Sequence, residues 1–322
     1  MSSTASPDRT EPQDALDAFR ADRIYLGADH RRNERRTWIV TAICAATLAV
    51  LVVGGAATRS MALVASGLHM GAHVVALLVA AGAYALARRH ATNPAFSFGT
   101  GKVGYLAGFA NGVVLAVTAA LIGLESAGRL LEPEAVAFGD ALPIAVGGLL
   151  VNLVCIWLLR PTGAAAARND PQGDLNLSAA HLHLTADAAV SLLALAAVLA
   201  GQWLDWRFAD PLAGVLAAVL VARFAWTLVR RAGAALLDVN PSRELTDEVR
   251  RRLSHEGERV IDLHLWRLGP GHHAVIAVIA AREPRPVATY RARLAGLAGI
   301  SHVTVEVRTS GEPDDHHHGH VH

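Results

Sequence analysis

From Trp38 to Val229 long apolar runs alternate with short polar breaks. Six windows, roughly 38–57, 62–87, 105–126, 137–159, 177–201 and 209–229, each approach the ~20 predominantly apolar residues that carry a helix across hydrocarbon. Past Leu236 the texture changes. Glu244 to Leu253 reads as a short amphipathic helix, and Val260 to Leu268 largely alternates as a strand does. Gly269-Pro270-Gly271 makes a turn, HAVIAVIAA follows as a second strand, 288–297 is helical in pattern, and HVTVEVR alternates as a third strand.

The predicted fold is therefore an α-helical membrane protein of six transmembrane helices with a C-terminal cytoplasmic α+β domain, αββαβ in order and ferredoxin-like. The expected divisions are an N-terminal cytoplasmic segment (1–36), the membrane domain (37–232), the α+β domain (233–310) and a His-rich tail (311–322). Composition agrees. The chain of 322 residues is 52% hydrophobic and 18% charged, where a soluble domain has about 25% charged residues.

Charge placement sets an expected orientation. Arg31, Arg32, Arg35 and Arg36 precede the first span, Arg88, Arg89 and Lys102 follow the second, Arg160 and Arg168 follow the fourth, and Arg230 and Arg231 close the sixth. The opposite loops hold Arg59, Arg129 and Arg207, partly balanced by Glu132, Glu134 and Asp205. Basic loops stay cytoplasmic, so both termini are expected there. The acidic N-terminus lacks the pattern of a secretory signal. A formal net charge of +1 gives no argument for nucleic acid, and two cysteines inside apolar spans suggest neither disulfides nor a thiolate zinc site.

Ionisable groups at membrane depth are costly and are functional candidates for that reason. His69 and His73 are four residues apart in the second window, and His183 and Asp187 repeat that spacing in the fifth. Each pair lies on one helix face. Three imidazoles and one carboxylate make a plausible tetrahedral shell for a first-row divalent cation. The bland alternative is that such side chains only hydrogen-bond between helices. His69-Met70-Gly71-Ala72-His73 lacks the glutamate of a metalloprotease helix, and four protein ligands leave no site for activated water, so no enzymatic role is expected. Asn152, in the fourth span, is a candidate supporting acceptor.

These pairs, with YLGADHRRNERRTW, PAFSFGTGKVG, ADPLAG, LLDVNP and DLHLWRLGPGH, resemble the cation diffusion facilitator family over nearly the whole chain after Tyr25. His73, where zinc-type members usually carry an acid, makes the chain look like the cobalt/nickel-efflux branch. The resemblance implies a homodimer in a bacterial inner membrane that exchanges cytoplasmic divalent metal (cobalt or nickel first, zinc possible) for external protons, with no other cofactor. It makes His69, His73, His183 and Asp187 the transport site, and Lys102 and Asp238 an ion pair across the dimer. It also implies that the α+β domain could bind metal, for which His264 and His302 are weaker candidates. His30, before the membrane, and His316, His317, His318, His320 and His322, in the tail, are candidate metal collectors by composition.

Three departures stand out. Ser66 occupies a position where this branch often has an acid. The loop between spans four and five carries no histidine. The stretch Thr92 to Gly104 lacks the His and Asp of a second metal site. Two other functions fit parts of the pattern. A membrane metal sensor would use the α+β domain for signalling without transport. A bis-His haem would serve electron transfer but would leave Asp187 and the His-rich tail unexplained.

Overall fold

A computed structural model describes residues 24–58, 61–131, 138–160, 174–204, 208–255 and 257–309. Among the described residues six long helices come first: α1 (His30–Thr58), α2 (Met61–Arg89), α3 (Val103–Leu131), α4 (Phe138–Leu158), α5 (Leu175–Leu204) and α6 (Ala209–Leu236). Then follow α7 (Arg243–Leu253), β1 (Glu258–Gly269), β2 (His272–Ala281), α8 (Val287–Leu294) and β3 (Ile300–Thr309). The expected αββαβ order is met.

Five of the six long helices are long and apolar enough to span a membrane. The apolar stretch found in α4 is the shorter Val146–Leu158. Even so, the 21 residues of α4 rise about 31 Å, the thickness of the hydrocarbon core. The first helix begins earlier than its apolar window: the arginine-rich stretch from His30 is already helical. A helix costs no hydrophobicity where its polar turn stands outside lipid, so apolar patterning marks the membrane and not the helix end. The outward faces carry large apolar side chains such as Leu121, Leu150, Leu192 and Val219, all exposed in the protein and covered by acyl chains in a bilayer.

Inside the bundle, small residues permit close approach. Ala76, Ala80, Ala83 and Ala87 form a buried stripe along α2. At Gly214 a Cβ would collide with Ser126, so α6 needs glycine where it crosses α3. Polar side chains in lipid must find partners within the protein. Thr37, Thr41 and Thr47 donate to the carbonyls of Asn33, Thr37 and Ile43, one turn back in α1, at 2.8–3.0 Å.

The α+β domain is a three-stranded sheet in the order β1-β2-β3. The β1–β2 hairpin is antiparallel, and β2 and β3 pair in parallel across the α8 connection. Helices α7 and α8 cover one face through Val249, Leu253, Tyr290 and Leu294, against Leu265, Val275 and Ile279. Ser242 caps α7, its Oγ accepting from the Leu245 N–H at 3.1 Å.

The loop after α2 docks on this domain. Phe98 sits edge-on to both Trp266 and His302, with ring centroids 5.6 and 5.9 Å away. A Cβ on Gly101 would strike the Leu268 carbonyl, Gly269 and the Tyr25 carbonyl. Three backbone segments from distant parts of the chain meet there, and only glycine leaves room.

Candidate metal centre

Helices α2 and α5 build the site from opposite directions. Asn176, near the start of α5, donates its side-chain amide to the Ala80 carbonyl of α2 at 2.8 Å. Seven residues on from Asn176 is His183, and seven residues back from Ala80 is His73. Two turns along each antiparallel helix, about 10.5 Å of rise, therefore bring the two histidines level. Asn111 of α3 donates to the Ala76 carbonyl at 3.2 Å and fixes the other flank of α2. Asp174 caps α5, its Oδ1 accepting from the Leu177 N–H at 3.1 Å. Its Oδ2 accepts from Asn33 at 2.8 Å and from the Tyr84 hydroxyl, which ties the α5 start to α1 and α2.

At the level so fixed, His73, His183 and Asp187 converge. His73 Nδ1 lies 2.9 Å from His183 Nε2 and 3.1 Å from Asp187 Oδ2, and His183 Nε2 lies 3.4 Å from that same oxygen. The two rings meet edge to face at 78°. All three residues are buried, His73 at 2% exposure and the other two at 8%. Bond lengths of about 2.0–2.2 Å to nitrogen and oxygen put tetrahedral donors roughly 3.3–3.6 Å apart. The observed edges of 2.9–3.4 Å nearly match one face of such a tetrahedron.

His69 lies in α2 one turn before His73; its side chain is outside the described residues. The structure thus unites three of the four membrane residues singled out from the sequence. Asn152 is buried in α4, and its amide oxygen has no hydrogen-bond partner among the described residues. Cys44 and Cys155 face each other across α1 and α4 at 3.9 Å, as free thiols.

The other candidates lie elsewhere. His30 points its Nε2 at the Tyr84 carbonyl, 3.1 Å away, and packs edge-on to that ring. His264 is exposed on β1 and hydrogen-bonds Asp262 at 2.8 Å. His302 is on β3, packed against Phe98. Because β2 separates β1 from β3, the sheet does not place His264 beside His302. Among the described residues neither joins a metal-holding group. The tail histidines, His316, His317, His318, His320 and His322, lie outside the described residues.

Lys102 and Asp238 form an ion pair within the chain. Asp238 has a left-handed backbone, φ 56°. It sits just past α6, where the Val239 N–H returns to the Ala234 carbonyl at 2.9 Å. A left-handed residue at this place after a helix is usually glycine. The aspartate keeps its side chain there to meet Lys102.

Neither Asn176 nor Asn111 was singled out from the sequence. An asparagine near the start of an apolar helix is the signal that could have found Asn176.

Known proteins resemble this chain over most of its length. The cation efflux transmembrane domain matches residues 37–237. The zinc transporter ZitB of Escherichia coli is 34% identical over 74% of both chains. The cadmium, cobalt and zinc/H(+)-K(+) antiporter of Bacillus velezensis is 28% identical over 83% of this chain and 90% of its own. The metal cation efflux system protein CzcD of Cupriavidus metallidurans is 28% identical over 87% and 90%. The chain is a multi-pass membrane protein of the cation diffusion facilitator family.

Proposed function

We propose that this protein exports divalent metal from the cytoplasm in exchange for external protons, through a site of His69, His73, His183 and Asp187. The observation that carries the reading is the buried triangle of His73, His183 and Asp187. It holds three lone-pair-bearing atoms 2.9–3.4 Å apart in apolar surroundings. Three such atoms cannot face one point unless a cation or a proton lies between them. Metal and proton therefore compete for one place, and that competition is the core of an exchanger.

Imidazole titrates near pH 6.5, close to cytoplasmic pH. Metal arriving from the cytoplasm displaces protons, and protons returning from a more acidic exterior expel metal. Asp187 holds a negative charge against the cation. With three neutral imidazoles the loaded site keeps net charge +1, so a nearby acceptor is needed. The buried amide oxygen of Asn152, which has no hydrogen-bond partner among the described residues, is suited to an approaching water. The antiporter name of the Bacillus relative supports proton exchange, and the zinc, cadmium and cobalt in the relatives' names support a divalent cargo.

Cobalt or nickel is the preferred cargo in this reading, because His73 puts a neutral nitrogen where zinc-type members usually have an acid. Zinc remains within reach of the same donors. The protein works as a homodimer with both termini in the cytoplasm.

Metal-driven proton flux in proteoliposomes tests this, with cobalt, nickel and zinc compared. Flux driven by any of the three, and lost in Asp187→Ala, sustains the site and the exchange. Wild-type protein that moves no protons with all three metals refutes exchange and puts the sensor reading first.

A further inference from the structure

Where α6 leaves the membrane, a cavity of about 360 Å³ lies between that helix and β1 of the α+β domain. Arg230, Arg231 and Arg267 line it, with Trp226, Thr227 and Asn240. Arg230 and Arg231 are exposed, whereas Arg267 is 7% exposed, its guanidinium 5.8 Å from the centre of the Tyr105 ring. Among the described residues no acidic side chain lines the cavity. A second feature adjoins it. An apolar groove of about 650 Å³ runs between α3 and α6, walled by Val113, Val117, Val219 and Ala222. Trp226 of α6 lines both.

We propose that this composite is a binding site for an anionic phospholipid. The acyl chains lie in the α3–α6 groove, and the phosphate enters the arginine-lined cavity. The layout matches the molecule: an apolar trough within the membrane-spanning stretch ends at three guanidiniums at its edge. Arginine presents a planar fork of donors suited to phosphate oxygens. Tryptophan prefers the headgroup level, where its ring is apolar and its N–H is wet. Basic pockets beside membrane helices favour anionic lipid over zwitterionic lipid. Because Arg267 belongs to β1 and Arg230 and Arg231 to α6, a bound lipid would join the two domains.

The test uses full-length protein in phosphatidylcholine vesicles. Trp226 fluorescence is isolated as the part missing in Trp226→Phe. It is titrated with acyl-brominated phosphatidylglycerol or acyl-brominated phosphatidylcholine. The glycerol lipid is expected to quench Trp226 at lower mole fraction, with a preference of about fivefold for each engaged arginine. Arg230→Gln with Arg231→Gln is expected to remove most of that preference. Arg230→Lys with Arg231→Lys, keeping the charge, is expected to retain part of it. Equal quenching by both lipids overturns the proposal, as does a preference unchanged in the glutamine variant. Displacement by soluble glycerol phosphate at equal potency assigns the cavity to free phosphate and also overturns it. So does absence of quenching by either lipid together with cross-linking of two copies through Val219→Cys, which would place a second chain in the groove.

Discussion

Asn176 donates to the Ala80 carbonyl two turns away from the histidine pair and sets the height at which α2 and α5 meet. Losing this bond lets two smooth apolar helices slide, because alanine and leucine packing in lipid has little preference for one register. Asn176→Leu is expected to cost about 0.6–2 kcal/mol of stability, the range for interhelical hydrogen bonds in membranes. It should also weaken metal binding, although Asn176 is remote from the metal. Thermal unfolding of the purified protein and the metal concentration for half-maximal flux measure the two effects. A variant with wild-type values of both would show that register is held elsewhere.

The donor triangle makes a prediction about charge. Asp187→Asn keeps shape and removes the negative charge, so the loaded site would carry net +2. Transport should fall by at least the roughly 10- to 100-fold seen when a metal ligand loses a supporting partner. His73→Asp changes the site in the other direction. It adds a carboxylate, brings the loaded site to neutrality and is expected to raise zinc flux relative to cobalt. Parallel flux assays with both metals read the ratio, and an unchanged ratio would remove His73 as a selectivity determinant.

At Asp238 the backbone and the side chain have opposing preferences. Glycine there would relieve a left-handed strain of about 1–2 kcal/mol and would also delete the partner of Lys102. Asp238→Gly is expected to melt no lower than wild type while transporting more slowly. Exchanging the two charges, Lys102→Asp with Asp238→Lys, should recover part of the rate. If Asp238→Gly transports normally, the pair serves neither coupling nor gating.

The α+β domain should be acid-sensitive through one residue. Glu258 is buried. Burial alone would raise its carboxyl, yet hydrogen bonds from Arg293 at 2.6 Å and the Tyr290 hydroxyl at 3.0 Å, with the charge of Arg285, hold it below the usual range. A depressed carboxyl stabilises the fold above its unfolded value, near pH 4.3, and that contribution is lost as pH falls through the lower folded value. Glu258→Gln should lower stability at pH 7 by about 1.5–3 kcal/mol, the worth of hydrogen bonds to a charged group. Melting followed from pH 7 to pH 3 should show wild type approaching the variant at the acid end.

Gly101→Ala tests the docking of the loop after α2. Its Cβ has no space against the backbone of Leu268 and Gly269. The loop should lift from the sheet, breaking the ring contact of Phe98 with Trp266. Faster proteolysis between α2 and α3, with the transmembrane helices intact, is the expected result.

Apolar run length alone determined the membrane helices, because crossing hydrocarbon demands about 20 apolar residues whatever they pack against. Alternation and turn residues determined the αββαβ order. Spacing determined that His73 shares a face with His69, and His183 with Asp187, because helical geometry is local. Periodicity could not show that the two faces meet; that expectation came from family resemblance. Six spans rich in alanine, valine and leucine can be packed in several ways, and the choice rests on sparse polar contacts such as Asn176 with Ala80 and Asp174 with Tyr84. The start of α1 at His30 was hidden for a related reason: a polar helical turn outside lipid has no apolar pattern to betray it. The separation of His264 from His302 was likewise decided by tertiary structure, since strand order depends on which edges pair and not on the alternation within each strand.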